Sequence, residues 1–353
     1  MGFQAVSAAG SLIVEDAADP PYETDGERTV FLHGLWNRTD TEIEEMVNAN
    51  PLNWPGETQG IMINGMTISN YGIVDPTTAG LAVIPVEPNS TYRMRFIGGT
   101  ALSYTAVGFE DHDELQVIEA DGSYTRPAPT HIMQVGGGQR FSALLQTKTC
   151  EELEDLGRLD FYIQTETRER TTVVTNYAIL SYSDACGAEG YGGGGNSTAG
   201  RRLPTDSYPT ERPVDLPPTI NGFLDYELRP LQANDFPSAA EVTRRVVVNV
   251  QAFEDGYVAW QDSNVSWSDL PLGEHVVPEA PYLVALYLNE TQYLPDWDAA
   301  VANGGVDPRT KTFPARIGEV LEIVFQNFGA DSRTGAQDGL IDAHPFHVHG
   351  GHV

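Results

Sequence analysis

Polar and apolar residues alternate, with many β-branched and aromatic side chains, in TYRMRFIG (91–98), RFSALLQTK (140–148), LDFYIQTE (159–166), TNYAILSYS (175–183), TRRVVVNVQ (243–251) and EVLEIVFQNF (319–328). In an extended chain successive side chains point to opposite faces, and Gly, Pro, Asn or Asp bounds these runs, so the pattern predicts strands. Helical periodicity is confined to DTEIEEMVNAN (40–50), CEELEDLG (150–157) and DWDAAVANGG (296–305), each short enough to be a connection. The predicted class is all-β, built as sandwiches.

At 353 residues the chain exceeds the size at which single cores stop growing, about 250–300 residues, so at least two domains are expected. Composition places the division. After Cys186 the chain reads GAEGYGGGGNSTAGRR and then LPTDSYPTERPVDLPP, Gly-rich followed by Pro-rich, which predicts a linker over 187–218. One domain is expected over 28–186 and another over 219–353, the second short of the strands that a whole sandwich needs.

Charge narrows the function. Fifty acidic against 20 basic residues give a net charge of −30, which disfavours nucleic acid and anionic membrane surfaces as partners. No run of about 18 apolar residues predicts a membrane span. N-x-S/T sequons at Asn37, Asn89, Asn196, Asn264 and Asn289 are expected glycosylation sites of an extracellular protein. The opening MGFQAVSAAGSLIVEDA lacks a basic segment and does not read as a signal peptide, so secretion calls for a leader outside this stretch. Cys150 and Cys186, an even count, fit either one disulfide in an oxidising compartment or two buried thiols.

The concentrated chemistry is in AHPFHVHGGHV (343–353), where four of the eight histidines fall within nine residues. On a strand His347 and His349 share a face and can converge on one metal cluster, whereas Pro345 sets His344 apart towards a different site. Imidazole suits copper and zinc alike. His352 follows two glycines and reads as a structural or exposed histidine, as do His33, His112, His131 and His275. No GxSxG, HExxH or phosphate-binding loop is present.

HPFHVHG (344–350) resembles the third copper motif, HPxHxHG, of the multicopper oxidases, secreted proteins of three cupredoxin-like Greek-key β-sandwich domains. By that resemblance His344 is a type 1 copper ligand, His347 a type 2 ligand and His349 a type 3 ligand. GETQGIMINGMTI (56–68) and TYRMRFIGGTALSYTAVGFEDHDELQVIEADG (91–122) are similar to the family's copper-free middle domain. Residues 2–17 look like the stretch that closes the first domain, making 1–27 its remnant, 28–186 the whole second domain and 219–353 part of the third. By the same resemblance the family's two first-domain copper motifs are expected upstream of residue 1, and its HCHxxxH motif, with the type 1 cysteine, does not occur in these residues.

The resemblance implies a copper enzyme that couples one-electron oxidation of a small reductant to reduction of O₂ to water. Phenols, as in laccases, rank first, then ascorbate, then ferrous iron. The acidic stretch GFEDHDE (108–114) could hold Fe²⁺ or orient a phenol, or be a solvated loop. With three copper ligands present, the 353 residues alone are expected to be inactive. The alternative class is a non-catalytic β-sandwich that binds a partner through exposed apolar surface.

Overall fold

A computed structural model of the chain describes residues 9–47, 49, 53, 55–68, 79–112, 114–169, 172–187, 202–220, 222–233, 236–254, 258–262, 282–330 and 346. The chain divides into two compact units, Met1–Glu44, Pro55–Ala233 and Ala343–Val353 in the first and Glu45–Trp54 and Asn234–Asp342 in the second.

The first unit is a two-sheet sandwich. Its strands are β1 (Gly26–Leu35), β2 (Gly60–Ile63), β3 (Ala82–Val86), β4 (Thr91–Gly98), β5 (Tyr104–Phe109) and β6 (Leu115–Ala120). They continue with β7 (Ser123–Thr130), β8 (Met133–Val135), β9 (Arg140–Gln146), β10 (Asp160–Arg168) and β11 (Thr175–Tyr182). One sheet has the order β2-β1-β4-β9-β6-β7 and the other β3-β11-β10-β5-β8. The pairings β1–β4 and β3–β11 are parallel, so the chain crosses over between sheets rather than running as a simple meander.

Alternation supplies the core. Leu32, Met94, Phe96, Phe141 and Leu145 from the first sheet meet Phe161, Ile163, Leu180 and Met133 from the second, all essentially without solvent contact. A side chain of this kind contributes about 1.5–3 kcal/mol on burial. Proline sorts to the margins: Pro85 lies in β3, and Pro127 and Pro129 in β7, each an edge strand where a missing backbone donor costs no ladder bond.

The strand β10 departs from simple alternation, because all nine of its residues are buried. Its inward row fills the core, while Asp160, Tyr162, Gln164, Glu166 and Arg168 face outward beneath the segment 202–217. That Pro-rich segment, read from composition as a linker, is a strap. Leu203 N–H donates to Asp160 Oδ2 at 2.8 Å, Val214 N–H to Gln164 Oε1 at 3.1 Å, and Arg168 Nε to the Pro217 carbonyl at 2.8 Å. Leu203 and Tyr208 pack on Tyr162 and Tyr177, and Val214 on Leu216 and Ala106. Under the strap Glu166 and Arg168, each 2% exposed, form an ion pair at 3.0 Å, and Gln164 Nε2 donates to Glu166 at 2.7 Å.

Three helical predictions are met by α1 (Asp40–Val47), α2 (Cys150–Leu156) and, further on, α4 (Trp297–Ala302). Helix α2 is closed at both ends by local chemistry. Thr149 and Glu152 form a capping box, and Gly157 ends the helix at φ 64°, a left-handed position that glycine takes without strain.

The second unit contains a three-stranded sheet, β13-β12-β14, with β12 at Arg244–Glu254, β13 at Val258–Asp262 and β14 at Leu321–Ala330, plus α3 (Tyr282–Tyr287) and α4. Val246, Val248 and Val250 are buried on one face with Phe313. Glu319 ties the start of β14 to its surroundings, accepting from Arg316 N at 2.8 Å, Trp297 Nε1 at 3.0 Å and Arg244 Nε at 3.1 Å. Those donors, the Arg316 backbone first, bring its carboxyl down to about 2.

Because the Glu166–Arg168 pair is buried, removing one partner strands the other charge. Glu166→Ala should therefore cost about 3–5 kcal/mol, read as a lower urea midpoint at unchanged slope. Val83→Thr, on an exposed edge position, should stay within about 0.5 kcal/mol of the parent. A Glu166→Ala loss no larger than the Val83→Thr loss would mean that the strap does not hold the sheet through this pair.

Candidate functional site

The cysteine question is settled by packing. Cys150 begins α2 and Cys186 follows β11; their Cα atoms are 5.5 Å apart and the sulfurs are bonded, closing a loop across a sequence separation of 36. Neither cysteine is free. Constraint of the unfolded chain by a loop of this length is worth roughly 4 kcal/mol.

Beside the disulfide lies a polar relay that sequence patterning did not single out. His112 Nδ1 is 2.7 Å from the Glu110 carbonyl, which can only accept, so Nδ1 carries the proton. His112 Nε2 is 2.7 Å from Tyr182 Oη and accepts from it, and Tyr182 Oη accepts in turn from Lys148 N–H at 2.8 Å. The imidazole meets Phe161 edge-on at 5.1 Å. Burial, with the Lys148 and Arg158 cations adding to it, pushes His112 down to about 4 against the opposing bond to Glu110. Burial likewise raises Tyr182 well above the usual phenol range.

The acidic stretch 108–114 is occupied by the same architecture. Arg158 donates to Glu110 Oε1 at 2.9 Å and to Asp111 Oδ2 at 2.6 Å, and Tyr162 N–H donates to Glu110 Oε2 at 2.8 Å. Glu110, Asp111 and His112 are thus neither a free pocket for Fe²⁺ or a phenol nor merely solvated: they brace β5 to the chain around β10 and β11 through Arg158, Tyr162 and Tyr182, while Asp113 lies outside the described residues. No motif in the sequence signals Arg158 as that partner.

Copper needs converging imidazole or thiolate donors. Among the described residues no group of three or more His, Cys, Asp or Glu could hold a metal ion. Both cysteines are consumed in the disulfide, and both nitrogens of His112 are engaged. His33 is buried, its Nε2 has no hydrogen-bond partner, and desolvation lowers its pKa, but no further donor set surrounds it. The described residues of the first unit thus assemble no donor set for copper. His344, His347, His349 and His352, like His275, lie outside the described residues; of the motif only Phe346 is described, and it is exposed. Asn37, Asn89 and Asn289 are exposed, whereas Asn196 and Asn264 lie outside the described residues. No helix among the described residues is long and apolar enough to cross a membrane.

The sandwich, its crossover pairing and the embedded disulfide define a cupredoxin-like β-sandwich protein. Residues 26–185 match the family model described as multicopper oxidase. The whole chain aligns at 35% identity with laccase-like multicopper oxidase 1 of Thermothelomyces thermophilus, covering 58% of that protein. Over 97% of its length it aligns at 25% identity with an L-ascorbate oxidase of Cucurbita pepo var. melopepo, covering 61% of it. In fold it resembles the crystal structure of Fet3p, a multicopper oxidase that functions in iron import, with a TM-score of 0.51 and 19% identity over 70% of this chain and 41% of that one. The chain belongs to the multicopper oxidase family, and it spans about three fifths of the length of the curated relatives it matches.

His112 gives a pH signature. Its pKa falls from about 6.5 unfolded to about 4 folded, so between those values the unfolded chain binds a proton that the native chain refuses. This contribution is whole above pH ~6.5 and is lost as pH falls towards ~4, by on the order of 3 kcal/mol. Denaturant titrations across that range should show a steeper acid-side fall for the parent than for His112→Gln; equal slopes would remove His112 from the account.

Proposed function

We propose that this chain is part of a secreted, laccase-like multicopper oxidase that couples one-electron oxidation of a phenolic reductant to four-electron reduction of O₂ to water. The observation that carries the reading is kinship over the whole chain, stronger to a laccase-like enzyme, at 35% identity, than to a plant ascorbate oxidase, at 25%. The HPFHVHG motif supports it, with His344 as a type 1 ligand and His347 and His349 as ligands of the type 2 and type 3 centres. Bound copper supplies reversible one-electron chemistry and, at the oxygen-reducing centre, a site for O₂. The disulfide, five sequons and acidic surface support a secretory route.

The chain's own residues divide the labour. The three imidazoles ligate only when neutral, so metal loading weakens as pH falls below about 6.5. The sandwich serves as a copper-free scaffold in which Glu110, Asp111 and His112 are held by internal partners. A blue-copper centre requires one thiolate with two imidazoles, and with Cys150 bonded to Cys186 these 353 residues supply none. The polypeptide by itself therefore lacks that centre and the oxidase activity that depends on it.

Two measurements test this. Loaded with Cu(II), the 353-residue polypeptide should show no intense blue thiolate band and no O₂ uptake with a methoxyphenol; a stoichiometric blue band would overturn the cysteine assignment. In the oxidase as its cells make it, His344→Ala should abolish the blue band and phenol oxidation. His347→Ala should keep the band and lose O₂ reduction. Unchanged phenol oxidation in His344→Ala would sink the ligand assignment, and a higher kcat/KM for ascorbate than for phenols in the parent would sink the laccase-like ranking.

A further inference from the structure

We propose that an N-linked glycan on Asn89 caps the Cys150–Cys186 disulfide and shields it from thiol reductants. The inference rests on the secretory route proposed above and concerns what one modification would do.

Asn89 sits at the tip of the turn between β3 and β4, exposed, at φ 55°. Asparagine tolerates this left-handed conformation better than most side chains. The turn is fastened to the stretch that leads into α2. Asn89 N–H donates to the Lys148 carbonyl at 3.0 Å, Ser90 N–H to Thr147 Oγ1 at 2.8 Å, and Thr147 N–H to the Ser90 carbonyl at 2.9 Å. Ser183, three residues before Cys186, is bonded through its N–H to the Val86 carbonyl at 2.9 Å and through its hydroxyl to Glu87, at the other end of the same turn. Both arms of the disulfide are therefore held against this turn.

The consequence is a specific juxtaposition: Asn89 Nδ2, the atom that N-glycosylation modifies, lies 3.7 Å from Cys150 Sγ. Asn89-Ser90-Thr91 is a complete sequon. Transfer of an oligosaccharide from a lipid pyrophosphate carrier forms the bond from Nδ2 to the anomeric carbon of the first sugar as that carbon's bond to the pyrophosphate oxygen breaks, releasing the lipid pyrophosphate and one Nδ2 proton. The second hydrogen remains to face the sulfur. Cys150 and Cys186 are each only partly buried, so protein alone does not close off the bond. Reduction requires a thiolate to approach one sulfur while the other departs as thiolate. A sugar rooted one van der Waals contact from Cys150 Sγ occupies that approach, and Glu151 and Glu152 beside it repel an anionic attacker. Asn37 and Asn289 are also exposed in sequons, but Asn89 is the one bonded to a cysteine sulfur among the described residues.

The test uses the protein secreted from a eukaryotic host. Mass spectrometry reads glycan occupancy at Asn37, Asn89 and Asn289, and alkylation trapping reads the rate at which dithiothreitol opens Cys150–Cys186 in the folded protein. Occupied Asn89 and several-fold faster reduction after enzymatic release of glycans are expected. Thr91→Ala, which destroys the sequon while leaving Asn89 and its turn in place, should reproduce the fast rate. Thr91→Ser, which keeps the sequon, should not, and Asn37→Gln should reduce at the parent's rate. Glycans at Asn37 or Asn289 with Asn89 bare would overturn this proposal and leave the secretory reading standing; no glycan at any of the three would overturn both. Equal reduction rates before and after glycan release would overturn the shielding role even with Asn89 occupied, and that comparison needs no variant to fold.

Discussion

The structure of the first unit turns on β10, a strand buried on both faces. A strand with one wet face can leave its outward row to water, but here that row contains Asp160, Gln164, Glu166 and Arg168, and an uncompensated buried charge or amide costs several kcal/mol. The row is tolerable only under a cover that supplies hydrogen bonds at the right places. The segment 202–217 does so along the strand, with Arg202 and Leu203 over Asp160, Val214 over Gln164 and Pro217 over Arg168. Proline suits the task, since a chain running over a sheet without joining its ladder does not need all its amide donors.

The same demand for satisfied polar groups explains the end of the sandwich that carries the disulfide. His112, Tyr182 and Lys148 form one directional chain of donors, Arg158 neutralises Glu110 and Asp111, and the ring of Phe161 lies beneath the Arg158 guanidinium at 4.2 Å. The cross-link of Cys150 to Cys186 adds a covalent tie at that end, and the turn bearing Asn89 closes over it. Glu110, Asp111, His112 and both cysteines, which look reactive in a bare sequence, are each committed to a partner.

The histidines that resemble the family's copper motif are instead clustered in sequence at 344–349. Metal donors must be neutral imidazoles or thiolates converging on one point, and the motif at 344–349 concentrates imidazoles in sequence as nothing in residues 9–233 does.

The sequence by itself determined the all-β class, the central strands and the resemblance of the histidine motif to the family's. Those signals are local: alternation with a period of two marks TYRMRFIG, LDFYIQTE and TNYAILSYS, and the spacing of His344, His347 and His349 is readable without any contact. Strands β3 and β7 escaped notice because their prolines break the pattern, and only membership of an edge makes those prolines tolerable. The tertiary structure alone decided that Cys150 and Cys186 pair, that the acidic stretch 108–114 is a brace, and that a Pro-rich linker is a strap. Each of those outcomes depends on a partner between about 36 and 50 residues distant arriving within hydrogen-bonding or bonding range, and no local pattern encodes that distance.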